Sequence, residues 1–432
     1  MQHEVKFTDL SPEEIFLWRC VYYWLQPDQV AADMVQSLDW VQVVTRAQAN
    51  KMSTLLDEYL RQTELIEQLP PSARTLLAEG RAKFDKKARE LTAVLQQYMP
   101  LAAAHQLDSL PLKGLWVSCN LYGNAAMRPG HDLDILVRRD RLDDCIALLE
   151  QMGLGRYWPD SLPDDFYKRH HLHLELSLPD CWTWVEIHWA FDHPRAHFTI
   201  DYEAVMARTT AGELLGVPVR DPNATDLLLY LSIHLVKHMV HLPITYNWAN
   251  LPRLIVAEGR LMYFLDVALA VKLYEKEIDW LLLIQSAHQY GAVNALGSVL
   301  RVCHDYFDLP VPEWVLDQLP IVPPGRLAQR LHTETAVHTL TTYQGHPTKP
   351  LWDFLVAENY KFIFRPIRLL DFATYAVPGK EYLRRRYGRA GLTAVFHFLR
   401  AIIEYTQLGL DTLSALWQRQ RGHIPTFVTR HD

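Results

Sequence analysis

At 432 residues the chain exceeds what one hydrophobic core usually serves, so two or three packed units are expected. Its 49% apolar and 22% charged residues exclude a disordered chain and fit a soluble globular protein. A formal net charge of -7 argues against broad nucleic-acid binding. The charge is uneven: residues 311–432 hold 15 Lys/Arg against 10 Asp/Glu, or +5, which leaves -12 for the rest. A solvated basic surface accounts for that excess more simply than an anionic ligand does. Cys20, Cys119, Cys145, Cys181 and Cys303 are far apart and show no CxxC or zinc spacing, so reduced, buried thiols are expected. The first residues, MQHEVKFTDLSPEE, are too polar for a signal peptide, and no apolar run approaches the ~20 residues that cross a bilayer. A cytoplasmic protein without a membrane partner is the expectation.

Residues 1–104 read as an N-terminal helical region. Ser11-Pro12-Glu13-Glu14 is a capping box with proline at the first helical position, opening a helix to about Leu25. Trp18, Tyr22, Tyr23 and Trp24 along it are expected in the core. Asp39 can cap a second helix running toward Ile66, which Pro70-Pro71 breaks. A long charged helix then runs from Ser72 to Ala104.

Residues 105–220 change character. Gly and Pro become frequent and apolar alternation replaces the helical period. A strand over 109–112 leads through the turn Lys113-Gly114 into a helix ending near Tyr122. A loop over 123–131, a strand over 133–137 and an amphipathic helix over 141–152 follow, the last ended by Gly153. After a polar, proline-containing segment come strand candidates at 171–178 and 182–189, joined by a turn at Pro179-Asp180. The expected class is α+β: a small mixed sheet with helices on one side.

Beyond Asp221 the pattern is helical again. Helices are expected from Asp221 to about Met239, over 261–274, and from the Asp279 cap to Gly291. Prolines at 310, 312, 320, 323 and 324 mark a boundary. Helical segments are expected around 327–343, 350–364, 368–375, 382–386 and 392–418. The chain thus divides into helices (1–104), a sheet core (105–220), a helical acceptor or nucleotide pocket (221–310) and a C-terminal helical region (311–432).

The chemistry concentrates in residues 110–137. Strand residues alternate between faces, so Asp132 and Asp134 project together while Leu133 and Ile135 enter a core. Two carboxylates about 7 Å apart repel one another, and a hard cation such as Mg2+ offsets that. Glu186 and His188 share a face of the 182–189 strand, which makes Glu186 the best third carboxylate; Glu175 is its competitor on the adjacent strand. Three such acids suit in-line nucleotidyl transfer with two Mg2+ ions ~4 Å apart, Mn2+ being the alternative. In this reading Asp132 and Asp134 bridge the metals, and Glu186 binds one and takes the proton of the attacking hydroxyl. Gly114 opens a helix whose N–H groups face phosphate, Lys113 adds a point charge, and Arg128 reaches the triphosphate from the loop.

The run LKG(x)17DLDILV, with Arg128 four residues before Asp132, resembles the bacterial family of uncharacterised nucleotidyltransferases, within the DNA-polymerase-β-type superfamily. VEIHW at 185–189, the histidine-bearing stretch 226–238, YFLDVALA, IDWLLLIQSAHQYG and EYLRRRYG at 381–388 extend the resemblance over roughly residues 90–390. It implies a nucleotidyltransferase core on a small mixed sheet, a divalent metal, and an NTP such as ATP as donor to an acceptor that it does not identify. The superfamily usually carries Gly-Gly or Gly-Ser at the turn, closer to the first Asp. Here Ser118, one helical turn on, is the candidate for the missing hydroxyl, and His188 for orienting Glu186.

Blander readings are favoured elsewhere: an exposed strand face for His171 and His173, packing for His234, His238 and His241, and a solvated helix end for Arg384, Arg385 and Arg386. For the whole chain, the rival to an enzyme is a nucleotidyltransferase-like protein that binds nucleotide or a partner without turnover. Phosphotransfer or hydrolysis at the same metals is a third reading.

Overall fold

A computed structural model describes residues 10–27, 37–130, 132–156, 163–178, 184–192, 194, 198–238, 255–256, 259–320, 375–377 and 380–420. The expected helical segments at 327–343 and 350–364, most of that at 368–375, the turn Pro179-Asp180, Cys181 and His241 lie outside these residues.

The capping box opens α1 (Pro12–Leu25): Ser11 Oγ accepts from the Glu14 amide and Glu14 accepts from the Ser11 amide. Trp18 is fully buried against Phe264 and Phe307, while Tyr22, Tyr23 and Trp24 pack at the core's edge. Asp39 caps the second helix as expected, but the helix does not run on to Ile66. It ends as α2 (Trp40–Ala49), and α3 (Ser53–Gln62) begins after a break. The reason lies at Asn50 and Lys51. The Asn50 side chain bonds the backbone of Arg46 and Val256, and Lys51 turns left-handed at φ 56°. Then α4 (Pro71–Ala104) starts after Pro70 and runs alongside the sheet.

The sheet strands are β1 (Ser109–Pro111), β2 (Asp132–Val137), β3 (His173–Ser177) and β4 (Trp184–His188), in the order β1-β2-β4-β3. β2 and β4 are parallel; the two outer pairings are antiparallel. This is a mixed α+β architecture. Leu133, Ile135, Val185 and Ile187 face the main core shared with α4 and with α6 (Leu142–Gln151), while α5 (Leu115–Tyr122) follows β1. On the opposite face Leu136 packs with Val205 of α8 and Tyr230 of α9, so helices are not confined to one side.

Four further elements had no clear sequence signal. They are α7 (Asp164–His170), α8 (Tyr202–Arg208), and the hairpin of β5 (Thr210–Leu214) and β6 (Val217–Asp221). The hairpin turns through Leu215 and Gly216, both at positive φ, as a two-residue turn matching strand twist requires. α9 (Ala224–Lys237) starts just after the expected Asp221 and is capped by Asn223, while Asp221 accepts the Trp116 indole N–H. α10 (Leu261–Leu273) and α11 (Trp280–Tyr290, capped by Asp279) match expectation. α12 (Val293–Phe307), which has no side-chain cap, escaped it. Beyond the short α13 (Glu313–Gln318), α14 (Lys380–Tyr387) and α15 (Leu392–Gln420) close the described chain, and Asp411 of α15 bonds His170 at 2.7 Å. Arg384 is exposed and Arg386 half-buried. No helix among the described residues is long and apolar enough to cross a membrane.

Candidate active site

The parallel pairing of β2 with β4 puts the Asp134 and Glu186 Cα atoms opposite one another, with Asp132 two residues earlier on the same face. Carboxylate oxygens of Asp132, Asp134 and Glu186 lie within 4.8 Å of each other. Glu175 pairs with Glu186 in the β3–β4 ladder, yet its half-exposed side chain is outside this trio and lies 3.5 Å from His173. Asp134 is fully buried.

Two bases offset the repulsion. Lys113 Nζ lies 2.6 Å from Asp134 Oδ1, 3.7 Å from Asp132 and 3.9 Å from Glu186. Burial opposes the ammonium charge, but Asp134, Asp132 and Glu186 outweigh it and raise the lysine pKa well above its ordinary value. His188 Nε2 sits 2.9 Å from Asp134 and 3.1 Å from Glu186. Burial disfavours its charge too, and these contacts still raise its pKa. Against the upward push of burial, His173, Lys113 and His188 hold the Glu186 carboxyl far below the usual carboxylate range.

Gly114 lies at the start of α5 with φ 57° and ψ -112°, which an L side chain rarely adopts. A Cβ there would stand 2.8 Å from the Asp132 carbonyl oxygen and 3.3 Å from Asp134 Oδ2. Only glycine leaves that space open. Ser118 is buried and committed to the following loop: its hydroxyl donates to the Asn124 and Ala125 carbonyls and accepts from the Arg128 amide. The loop carries Arg128 inward, where Nε lies 2.9 and 3.0 Å from the two carboxylate oxygens of Asp266, whose Oδ1 also accepts from Tyr122. Although burial opposes it, Asp266 raises the Arg128 pKa.

Other neighbours are less legible in sequence. His173, expected on an exposed strand face, has Nδ1 3.6 Å from Glu186 and joins Glu186 and His188 in a second group able to hold a metal. Register explains the difference, since His173 is the β3 partner of His188. Lys87, buried on α4, lies near Asp132, and burial lowers its pKa to about 8. In the sequence it is one lysine among several on a charged helix. Asp266 had a signal, an acid inside the apolar run YFLDVALA, but nothing to indicate its partner. His234 and His238 pack together at 4.5 Å, and no metal group among the described residues includes either.

The donor set fits a divalent cation. Among the described residues Asp134 Oδ2 has no hydrogen-bond partner, and it is buried beside two further carboxylates and next to the space that Gly114 leaves open. All-oxygen ligation of this kind suits a hard ion, whereas His173, Glu186 and His188 offer a softer set.

Residues 36–308, well over half of the chain, match a family model described as an uncharacterised nucleotidyltransferase. The match includes the α2–α3 region and ends before EYLRRRYG at 381–388. Comparison with curated proteins and with solved structures gave no match.

Proposed function

This chain belongs to the uncharacterised nucleotidyltransferase family, and on that premise we propose Mg2+-dependent transfer of a nucleoside monophosphate from an NTP to a hydroxyl or similar acceptor. The acceptor is a small molecule, peptide or protein, and the fold relationship is to the bacterial, DNA-polymerase-β-type branch of such enzymes. The observation that carries the proposal is the convergence of Asp132, Asp134 and Glu186, with a buried, unpartnered oxygen on Asp134.

Asp132 and Asp134 would hold the cations and Glu186 would complete the set. A bound divalent ion supplies positive charge against the negative charge that develops on the phosphoryl oxygens. The acceptor oxygen bonds to Pα, the bond from Pα to the bridging oxygen breaks, and that electron pair leaves with pyrophosphate. The acceptor proton passes to Glu186 and then to solvent. Lys113, relieved of neutralising the carboxylates, turns to the phosphates, which the Gly114 turn lets approach the α5 amides. Ser118 serves nucleotide binding by fixing the loop that carries Arg128. His188 holds Asp134 and Glu186 in place, and the helices over 221–310 wall the pocket. Free thiols at Cys20, Cys119, Cys145 and Cys303 suit a reducing, cytoplasmic setting.

The test is incubation of the protein with α-labelled NTPs and a lysate, following label transfer and pyrophosphate release. Transfer abolished by Asp132→Ala supports the proposal. Nucleotide binding with no Asp132-dependent transfer points instead to a passive binding protein, and release of phosphate rather than pyrophosphate to phosphotransfer or hydrolysis.

A further inference from the structure

A second charged cluster lies beside the carboxylates, centred on the buried ring of Tyr263 on α10. Lys51 Nζ lies 2.6 Å from the Tyr263 hydroxyl, and the guanidinium carbons of Arg128 and Arg260 each lie 5.9 Å from the ring centroid. His234 and His238 pack on the same ring at 4.8 and 5.2 Å. Asp266 neutralises Arg128. Among the described residues neither Lys51 nor Arg260 has a carboxylate partner. Among these residues the Lys51 ammonium bonds the phenol, and Arg260 donates to the carbonyls of His238 and Gly259. Two uncompensated cations held around one buried ring repel each other, and an anion between them relieves the cost.

The arrangement is built rather than incidental. Lys51 sits at φ 56°, the left-handed residue that ends α2. Its neighbour Asn50 fastens that turn: the buried amide donates to Val256 O and accepts from Leu261 N, while Asn50 O accepts from Met262 N. Gly259, at φ 70°, completes the clamp, because a Cβ there would stand 2.5 Å from the Ala49 carbonyl oxygen. The break between α2 and α3 is therefore fastened to the start of α10, which holds both Lys51 and Arg260 beside Tyr263.

The cluster adjoins the carboxylate site. Arg128 lines one crevice with Gly114 and Asp132. Lys113, bound to Asp134, also acts electrostatically on His234 and His238, adding to the burial that keeps both rings neutral. Neutral rings leave the surplus charge on Lys51 and Arg260.

We propose that Lys51 and Arg260, both beside Tyr263, bind the β- and γ-phosphates of the nucleoside triphosphate. This rests on the nucleotidyl-transfer reading. As the bond from Pα to the bridging oxygen breaks, the electron pair moves onto pyrophosphate, and two cations not committed to carboxylates meet that charge.

The test is titration calorimetry on the full chain with inorganic tripolyphosphate, ATP and AMP as probes. Lys51→Asn removes the charge but tolerates the left-handed backbone, and Arg260→Gln removes the second cation while keeping a donor. Each is expected to weaken tripolyphosphate and ATP binding about tenfold or more and to change AMP binding less than about twofold. Unchanged tripolyphosphate affinity, or an equal loss for AMP, overturns the assignment. So does ATP that fails to displace tripolyphosphate, which would give the site to a phosphorylated acceptor. The two readings fail separately. Asp132-dependent label transfer with tripolyphosphate binding indifferent to both variants sinks this inference alone. Binding that depends on Lys51 and Arg260, in a protein that transfers no label, sinks nucleotidyl transfer and leaves the phosphate site standing.

Discussion

Asp134 and Glu186 face one another across the β2–β4 pairing, and His188 Nε2 lies within 3.1 Å of both carboxylates. The two acids are set by a ladder of backbone hydrogen bonds rather than by a loop, so their separation is a property of the sheet. Rigid placement of this kind suits a site whose work is to hold charge in position.

Glu186→Ala is expected to lower kcat by about a hundredfold or more while changing KM for the NTP by less than about threefold. The reason is position: Asp132 and Asp134 remain to hold a cation against the triphosphate, whereas the acceptor side loses its carboxylate. Steady-state kinetics over a range of NTP concentrations read both numbers. An equal loss in kcat and in NTP affinity would mean that Glu186 serves the donor instead.

Lys113, with His188 beside it, offsets the charge of the trio when no cation is bound. Lys113→Met should therefore destabilise the metal-free chain by about 3 kcal/mol, since breaking a buried ion pair leaves its carboxylates uncompensated. Adding Mg2+ should recover more stability in the variant than in the parent, because the ion no longer competes with an ammonium group. Thermal unfolding with EDTA and with millimolar Mg2+ measures this. Equal gains from Mg2+ in the two proteins would show that lysine and metal do not share a position.

How much of this was legible depended on range. Asp132, Asp134 and Glu186 were readable because strand alternation is a local rule and the parallel pairing then needed only one register. The α2–α3 break was not readable, because Asn50 leaves the helix for partners at Val256 and Leu261, some two hundred residues away. His173 was missed for the same reason: the neighbour that brings it to Glu186 is β4, and nothing within β3 announces it. The hairpin over 210–221 turns at Leu215-Gly216, where the usual Asn-Gly or Asp-Gly signal is absent. Ser118 and Arg128 were picked out from the sequence, but Ser118 is committed to the following loop and Arg128 to Asp266 of α10, a partner 138 residues away.

That fastening can be broken directly. Asp266→Asn leaves the buried Arg128 guanidinium without its counter-charge and should cost about 3–5 kcal/mol of stability. The double variant Arg128→Met with Asp266→Leu removes both charges, so it should recover a large part of that loss in chemical denaturation while NTP binding stays impaired. A double variant no more stable than Asp266→Asn alone would assign the cost to lost packing around Tyr122 and Tyr263 rather than to the stranded charge.

His234 provides a pH signature. It is buried on α9 against Tyr263, and burial, followed by His238 and Lys113, lowers its pKa well below the ordinary value. The folded chain thus refuses a proton that the unfolded chain accepts near pH 6.5. Stability from this residue is complete above that pH and drains away as the pH falls toward the depressed folded-state value. His188, whose pKa is raised, acts in the opposite direction, so the contribution is isolated by difference. His234→Gln, measured by urea denaturation without nucleotide, should lose less stability than the parent between pH 7.5 and 5.0. Parallel losses in the two proteins would mean that the ring takes up its proton in the folded state despite its burial.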